Sequence, residues 1–309
     1  QVFKKCKMMA VKNVLNANWM VYRFLKSILD AFGYHSYKMK QAYENYKIDE
    51  KWKSRIKDVL SCPDTDHIPR VPDAGVIKGA CQIMHNGLKV KLGSYYSFGV
   101  TEMLRLSRGI HEPQEERVFM EVLKQMPENA VMIELGSYWA FYSMWFYQSV
   151  KNGVCYLIEP DKIGLDSGKK NFKLNNMKGH FFNAFVSSKS SKNNNDTPAV
   201  CIDDFVSSNN IPFIHILHSD IQGYELEMLK GSQRSINEKK IGYLFISTHS
   251  NELHNQCISF LKENHFIILA SANMDESYSV DGLIVARSFH FKGINPVNIS
   301  LKRNPNNAN

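Results

Sequence analysis

The feature that most constrains this chain is an alternation that begins at residue 130. "AVMIEL", "GVCYLIEPD", "HFFNAFVSS", "FIHILHSD" and "IGYLFISTH" are short apolar runs rich in branched and aromatic residues. Between and after them lie segments of helical length: "WAFYSMWFYQSV", "IGLDSGKKNFKLNN", "YELEMLKGSQRSI" and "NELHNQCISFLKEN". Two final runs, "HFIILAS" and "GLIVARS", follow one another without a helix. Strands separated by helices must pair in parallel, because the helix carries the chain back to the starting edge. The pattern predicts an α/β fold: a mostly parallel sheet of seven strands with helices on both faces. The closing pair predicts one antiparallel strand near an edge.

Upstream the composition changes. Residues 1–60 carry 13 Lys and Arg against 5 Asp and Glu, so this arm holds all of the +8 formal charge. Trp19, Tyr22, Phe24, Leu25, Ile28, Leu29 and Phe32 recur in it at helical intervals. A basic amphipathic helix of this kind packs on the body, pairs with a second copy as a homodimer contact, or rests on an anionic membrane. Nucleic acid is disfavoured as a partner, because no recognition motif accompanies the charge. Residues 61–110 read as a connecting region, with three prolines and three aspartates in "CPDTDHIPRVPDAG". "HEPQEERVFMEVLKQM" then reads as a helix. Pro113 and the acids suit its first turn, and Val118, Phe119, Val122, Leu123 and Met126 form its apolar stripe. The resulting organisation is a basic helical arm (1–60), a connector (61–110), a main domain (111–290) and a polar tail (291–309).

Other classes are excluded on composition. The 44% hydrophobic and 22% charged content is that of a globular protein. The longest uncharged stretch of the domain, Leu135 to Val150, is shorter than a membrane span needs. No small-residue cleavage site follows the Asn13 to Tyr22 run, so no signal peptide is expected. Six cysteines stand far apart with no Cys-x-x-Cys pair, which indicates neither zinc nor a disulfide framework and fits a reducing cytoplasm.

In an open parallel sheet, ligands bind beyond the carboxyl ends of the strands, where the strand order reverses. The first five runs end at Glu134/Gly136, Glu159, Asn183, Asp220 and Thr248/His249. Glu159 lies 23 residues after Gly136, close to the spacing at which a carboxylate accepts hydrogen bonds from both ribose hydroxyls. The Gly-x-Gly-x-x-Gly pattern that cradles pyrophosphate is absent, which disfavours NAD. A ligand with ribose and no phosphate fits better, and S-adenosylmethionine is the common one. Ser137, Tyr138 and Trp139 follow Gly136. Tyr138 and Trp139 either wall the pocket, offering cation–π surface to a sulfonium, or are core of the first helix like Met144 and Trp145.

"VMIELGSYWAFYSMWF", "YLIEPD", "NAFVSS", "HSDIQGYELEMLKG" and "LFISTHS" together resemble an FkbM-type S-adenosylmethionine-dependent methyltransferase over about residues 110–290. The most specific piece, "DIQGYELEMLKG", is similar to that family's Asp-x-(Glu/Gln)-Gly-x-Glu-x-x-x-Leu-x-Gly motif. It places Asp220, Gly223, Glu225, Leu229 and Gly231 on matching positions. Glu134 and Gly136 match the cofactor loop, and Glu159 matches the ribose acid. The loop departs from the family's Ala-Asn-x-Gly at Ser137, Tyr138, Trp139 and Ala140, which bears on cofactor affinity and pose. "HEPQEE" resembles part of a subgroup with this Tyr-Trp loop. The resemblance implies a class I methyltransferase fold, with Glu134, Gly136, Ser137, Tyr138, Trp139, Glu159, Asn183 and Asp220 around the cofactor. It also implies an O-methyltransferase acting on a sugar, glycan or other small-molecule hydroxyl. A catalytically inactive scaffold, or an RNA methyltransferase using the basic arm, is the alternative.

Methyl transfer to a hydroxyl is an in-line displacement that also needs a proton acceptor. His249 and Asp220 are the candidates, because they leave adjacent strands. Glu225 would orient a substrate or cap its helix. His218 points to the face of Asp220 but deeper, as a core histidine does. Asp220, His249 and Glu225 carry metal-ligating chemistry but not a recognised metal spacing, so no metal is assigned.

Overall fold

The computed structural model describes residues 42, 46–95, 97–191 and 197–302. Most of the basic arm, including the apolar stripe at 19–32, lies outside the described residues, as do the contacts expected of it with a second copy, a membrane or nucleic acid. In chain order the first elements are helix α1 (Glu50–Ser61), a 3-10 turn (Pro63–His67) and strands β1 (Ile77–Lys78), β2 (Cys81–Ile83) and β3 (Lys89–Lys91). Helices α2 (Phe98–Leu106) and α3 (Pro113–Leu123) follow. The alternating part begins with β4 (Val131–Leu135), α4 (Phe141–Ser149), β5 (Val154–Ile158), α5 (Lys162–Leu174) and β6 (His180–Phe182). A short parallel pair, β7 (Phe185–Val186) and β8 (Ala199–Val200), precedes α6 (Ile202–Ser208) and β9 (Ile214–Ser219). The chain continues through α7 (Glu225–Lys230), α8 (Gln233–Asn237), β10 (Ile241–Thr248), α9 (Asn251–Glu263), β11 (Phe266–Ala272) and β12 (Gly282–Ser288).

Seven strands form one sheet in the order β11-β12-β10-β9-β4-β5-β6. The five from β6 to β10 are parallel, and β12 inserts antiparallel between β10 and β11. The seven apolar runs are its strands, and the mostly parallel seven-stranded sheet is the fold the resemblance implied. β12 runs backwards because no crossover helix separates it from β11. The chain leaves β4 toward β5 and β6, then returns to β9 on the other side of β4. The order therefore reverses between β4 and β9, and their carboxyl ends, Gly136 and Asp220, define the switch point.

Alternation along each strand divides the core in two. Met132, Cys155, Leu157, Ile216, Tyr243, Phe245 and Val285 face the side covered by α1 to α4, together with Phe119, Phe141 and Trp145. Ile133, Leu135, Ile158, Leu217, Leu244, Ile246 and Ile284 face α6 to α9. The same alternation puts Glu134 and His218, which are register partners, on the first side. Two ionisable groups therefore lie in the apolar layer under α3 and α4, where each needs a partner.

Two segments differ from the sequence reading. The stretch 61–110 is not merely a connector: it holds the antiparallel sheet β1-β2-β3 and α2. Strands of two or three residues are too short to show a period. "YELEMLKGSQRSI" is two helices rather than one, broken where Gly231 passes the backbone of Ser187; a Cβ there would lie 2.6 Å from the Ser187 carbonyl oxygen. The described end of the basic arm is α1, whose Ile56 and Val59 join the main core.

Candidate active site

The loop between β4 and α4 is held by carboxylates of the chain itself. Its backbone takes left-handed φ values at Gly136 (71°), Tyr138 (38°) and Ala140 (65°). A Cβ on Gly136 would run into the carbonyl oxygen of Asp220, so only glycine fits this crossing. Tyr138 and Ala140 adopt the same backbone region at a cost of about 1–2 kcal/mol each for an L-residue. These are the positions where the resembling family carries Asn and Gly. The loop takes the shape those residues favour without carrying them.

Partners that over-determine the loop explain why it persists. Glu159, at the end of β5, accepts from Tyr138 N (3.0 Å) and from Asp161 N (2.8 Å). Glu134 accepts from Ser143 N in the first turn of α4 (3.1 Å), capping a helix whose N-cap Ala140 has no side-chain oxygen. Burial pushes the Glu134 carboxyl up to about 7, despite the charge of His218 and the hydrogen bond from Ser143. Asn183 donates to the Glu159 and Pro160 carbonyls (2.9 and 2.7 Å), so it secures the turn after β5.

The structure bears on two expectations about this loop. Tyr138 and Trp139 do not form an open wall: both are buried and belong to the main core cluster. The Trp139 ring is packed among Tyr95, His111 and Phe141, with centroids 5.4, 5.0 and 5.6 Å away. A large ring gains about 1.5–3 kcal/mol by burial, more than a partly exposed cation–π contact returns. The Glu159 carboxylate, expected on a ribose, is already shared between two backbone amides. A carboxylate offers about four lone-pair sites, so accepting two amides does not by itself bar a hydroxyl.

The donor set tests what ligand suits this edge. Carboxylates occupy the loop and helix amides that a pyrophosphate would need, and they would repel it. The buried Ser137 hydroxyl has no partner among the described residues. Carboxylates beside an unpartnered hydroxyl suit a ribose-bearing cation. S-adenosylmethionine fits: Glu159 and Ser137 would hold it, with Asp220 on the far side of Gly136.

The other end of the edge is built from side chains meeting side chains. His249, leaving β10, lies 3.3 Å from Asp220, 2.9 Å from Glu225 and 3.4 Å from Asp281. Glu225 also accepts from Gly223 N (3.1 Å), so it ties down the turn before its helix as well as holding the ring. The structure thus brings together the predicted Asp220, His249 and Glu225, and adds Asp281, which precedes β12. Burial pulls the His249 pKa down, but hydrogen bonds to Asp220 and Glu225 and the charges of Asp220 and Asp281 raise it to about 10. Both ring nitrogens are already engaged, Nδ1 by Glu225 and Nε2 by Asp220, Asp281 and the Gln222 amide at 2.8 Å, so neither is open to an acceptor hydroxyl. Burial and the Asp220 charge lift Asp281 to about 7 against the opposing charge of His249. Among the described residues, no group of three or more His, Cys, Asp or Glu is arranged to hold a metal ion.

A narrow cleft opens beside this cluster, lined by Glu112, Gln114, Glu115, Ser247, Ser277, Ser279 and Asp281, with Leu283 at its base. "HEPQEE", read only as a helix entry and a subgroup mark, supplies one wall and a buried network beneath it. His218 meets Glu115 at 2.6 Å, and His111 meets Glu116 at 2.6 Å and Glu112 at 3.2 Å. The Tyr142 hydroxyl donates to Glu112 (3.0 Å). Burial opposes charge on both partners, yet the two acids raise His111 to about 10, while His111 and Arg55 bring Glu112 down to about 2. Arg55 of α1 reaches the rim, donating to Ser279 (3.2 Å) and lying 3.9 Å from Glu112. Three acids and a histidine within six residues at a helix start were the sequence signal for this wall. Nothing in the sequence pointed to Arg55 or Asp281, which reach the site from distant segments.

The family model of the methyltransferase FkbM domain matches residues 128–268. No curated protein sequence matches the chain. Among solved structures, the chain is similar to a precorrin-6y C5,15-methyltransferase from Geobacter metallireducens GS-15, at 13% identity and a TM-score of 0.39 over 56% of this chain and 87% of that one. It is also similar to TrmK of M. capricolum in complex with S-adenosyl-homocysteine, at 14% identity and a TM-score of 0.38 over 57% and 71% of the two chains. A third is the ribosomal protein L11 methylase of Lactobacillus delbrueckii subsp. bulgaricus, at 11% identity and a TM-score of 0.39 over 58% and 81%.

Proposed function

Residues 128–268 being an FkbM methyltransferase domain, we propose that the chain transfers the methyl group of S-adenosylmethionine to a hydroxyl oxygen of a sugar, glycan or other small polar molecule. The observation that carries this reading is the cleft at the exits of β10 and the entry of β12. Three serines, a glutamine and three carboxylates line it against one leucine side chain. The cleft is too narrow to enclose a sugar ring, so the reading rests on the chemistry of these lining groups, which pair with hydroxyls and not with an apolar acceptor. When bound, the cofactor supplies an electrophilic methyl group on a sulfonium. The chain positions an acceptor oxygen in line with it and excludes water, which is the larger part of the work in such a displacement. Incubation with methyl-labelled S-adenosylmethionine and separate glycan, small-molecule, RNA and protein pools tests the reading. Label should enter the glycan or small-molecule pool as a base-stable ether; label confined to RNA or protein would reject it.

One observation favours a second reading, an inactive scaffold. Glu159 is committed to backbone amides, and Tyr138 and Trp139 fill the core beside the loop. Calorimetric titration with S-adenosylhomocysteine separates the two, since a scaffold would bind none at millimolar ligand.

A further inference from the structure

We propose that Asp281 takes the proton from the acceptor hydroxyl during methyl transfer, and that His249 acts through it as a positioning cation. This rests on the reading of the chain as a hydroxyl-directed methyltransferase.

The geometry excludes the neighbouring groups one by one. His249 is held on Nδ1 by Glu225 and on Nε2 by Asp220, Asp281 and Gln222, so neither ring nitrogen is left for an acceptor. Glu225 is fully buried, and its Oε1 already serves His249 and Gly223 N. Glu115 is committed to His218, and Glu112 to His111 and Tyr142. Asp220 accepts from Gln222 (3.2 Å) besides facing His249, and its backbone is locked against Gly136. Asp281 differs from all of these. Among the described residues it has the His249 ion pair and no hydrogen bond, its side chain is partly exposed, and it lines the cleft beside Ser247, Ser277 and Ser279.

Position supports the role. Asp281 directly precedes Gly282, which pairs with Thr248 at the last turn of β10. It therefore sits at the strand exit beside the switch-point acid Asp220, where an acceptor must approach the cofactor. The groups facing it are Asp220 from β9, His249 from β10, Glu225 from α7, Glu112 and Glu115 from α3, and Arg55 from α1. Burial and the carboxylates of Asp220 and Glu112 work against its charge, while His249 and Arg55 support it. Balanced in this way, its carboxyl titrates near 7, where a base both is ionised and holds a proton well.

The step balances. The acceptor oxygen's lone pair forms the new C–O bond, and the C–S bond breaks with its electron pair passing to sulfur. The O–H bond gives its electrons to oxygen and its proton to the Asp281 carboxylate. Asp281 returns that proton to water after the ether leaves.

The test has two arms. The first follows the Asp281 carboxyl carbon by NMR in the full unliganded chain across pH. A midpoint near 7 that moves higher in His249→Gln is expected; a midpoint below about 5, in the ordinary carboxylate range, overturns the proposal. The second uses labelled S-adenosylmethionine and a panel of simple methyl glycosides as acceptor probes. Asp281→Asn should slow transfer by about 10²–10⁴-fold with S-adenosylhomocysteine affinity unchanged and the acid limb of the pH–rate profile gone. Asp281→Glu should recover part of the rate. Wild-type protein that labels a glycoside while Asp281→Asn does so equally fast overturns the role of Asp281 alone. Wild-type protein that labels no hydroxyl in any pool overturns the function from which the role follows.

Discussion

The two ends of the ligand edge solve opposite problems. At the β4–β5 end, carboxylates hold backbone: Glu159 and Glu134 take amides of the loop and of α4, and Gly136 crosses Asp220 with no room for a side chain. At the β10–β12 end, carboxylates hold a side chain: Asp220, Glu225 and Asp281 surround one imidazole. The first end is a problem of shape, in which a polar group left without its partner costs loop geometry. The second is a problem of charge, in which the proton held by the cluster sets the pH dependence of stability and of chemistry alike. Substitutions should therefore act on folding and affinity at one end, and on rate and pH dependence at the other.

The largest effect is expected at the shape end. Gly136→Ala forces a Cβ against the Asp220 carbonyl and a left-handed φ on an L-residue. Overpacking and backbone strain together should destabilise the protein by about 2–5 kcal/mol. Urea unfolding measures this, and a variant as stable as the wild type would show that the crossing relaxes freely.

Next is Glu159→Ala. It releases Tyr138 N and Asp161 N together and removes the acceptor for a ribose hydroxyl. S-adenosylhomocysteine binding should weaken by about 1.5–3 kcal/mol, the range for hydrogen bonds to a charged group. Unchanged affinity in calorimetry would take Glu159 out of the cofactor site and leave it a purely structural clamp.

The charge end predicts a pH effect with a definite sign. His249 has a folded pKa of about 10, raised above the ordinary histidine value of about 6.5. The stability this contributes is fully present below the unfolded value and is lost as pH rises through the folded one. His111, also raised to about 10, adds to the same window. The melting midpoint should therefore fall between pH 7 and 10, and the fall should be smaller, but not absent, in His249→Gln. An equal fall in both proteins would show that the ring is not held charged by its three acids.

Legibility in the sequence follows the same division. All seven strands, the switch point and the strand-end residues were readable, because period and strand-end position are local properties of the chain. The pairing of Asp220, Glu225 and His249 was readable from adjacency of strand exits. The state of that cluster was not. It depends on Asp281 and Arg55, which enter from a hairpin and from the arm, and on burial that no local pattern reports. The roles of Tyr138 and Trp139 turned on whether their rings face a pocket or a core, and α2, α3 and the small sheet decide that by covering them.

The smallest effect should come from Asn183, and it locates the boundary between the two ends and the ligand. Its amide donates to two carbonyls of the turn after β5 and thereby fixes Glu159 from behind, while the residue itself is exposed. If its work is confined to that turn, Asn183→Ala loses about 0.5–1.5 kcal/mol of stability, the net value of a typical hydrogen bond at an accessible site. Cofactor affinity should then barely move, because the Glu159 carboxylate is still held by Tyr138 N and Asp161 N. Asn183→Asp should be worse than Asn183→Ala, since it sets a carboxylate against two carbonyl oxygens with no donor between them. Parallel urea unfolding and S-adenosylhomocysteine titration of both variants decide the matter. A loss of affinity larger than the loss of stability would place the Asn183 side chain on the ligand, whereas a loss of stability alone keeps it among the parts that shape the loop.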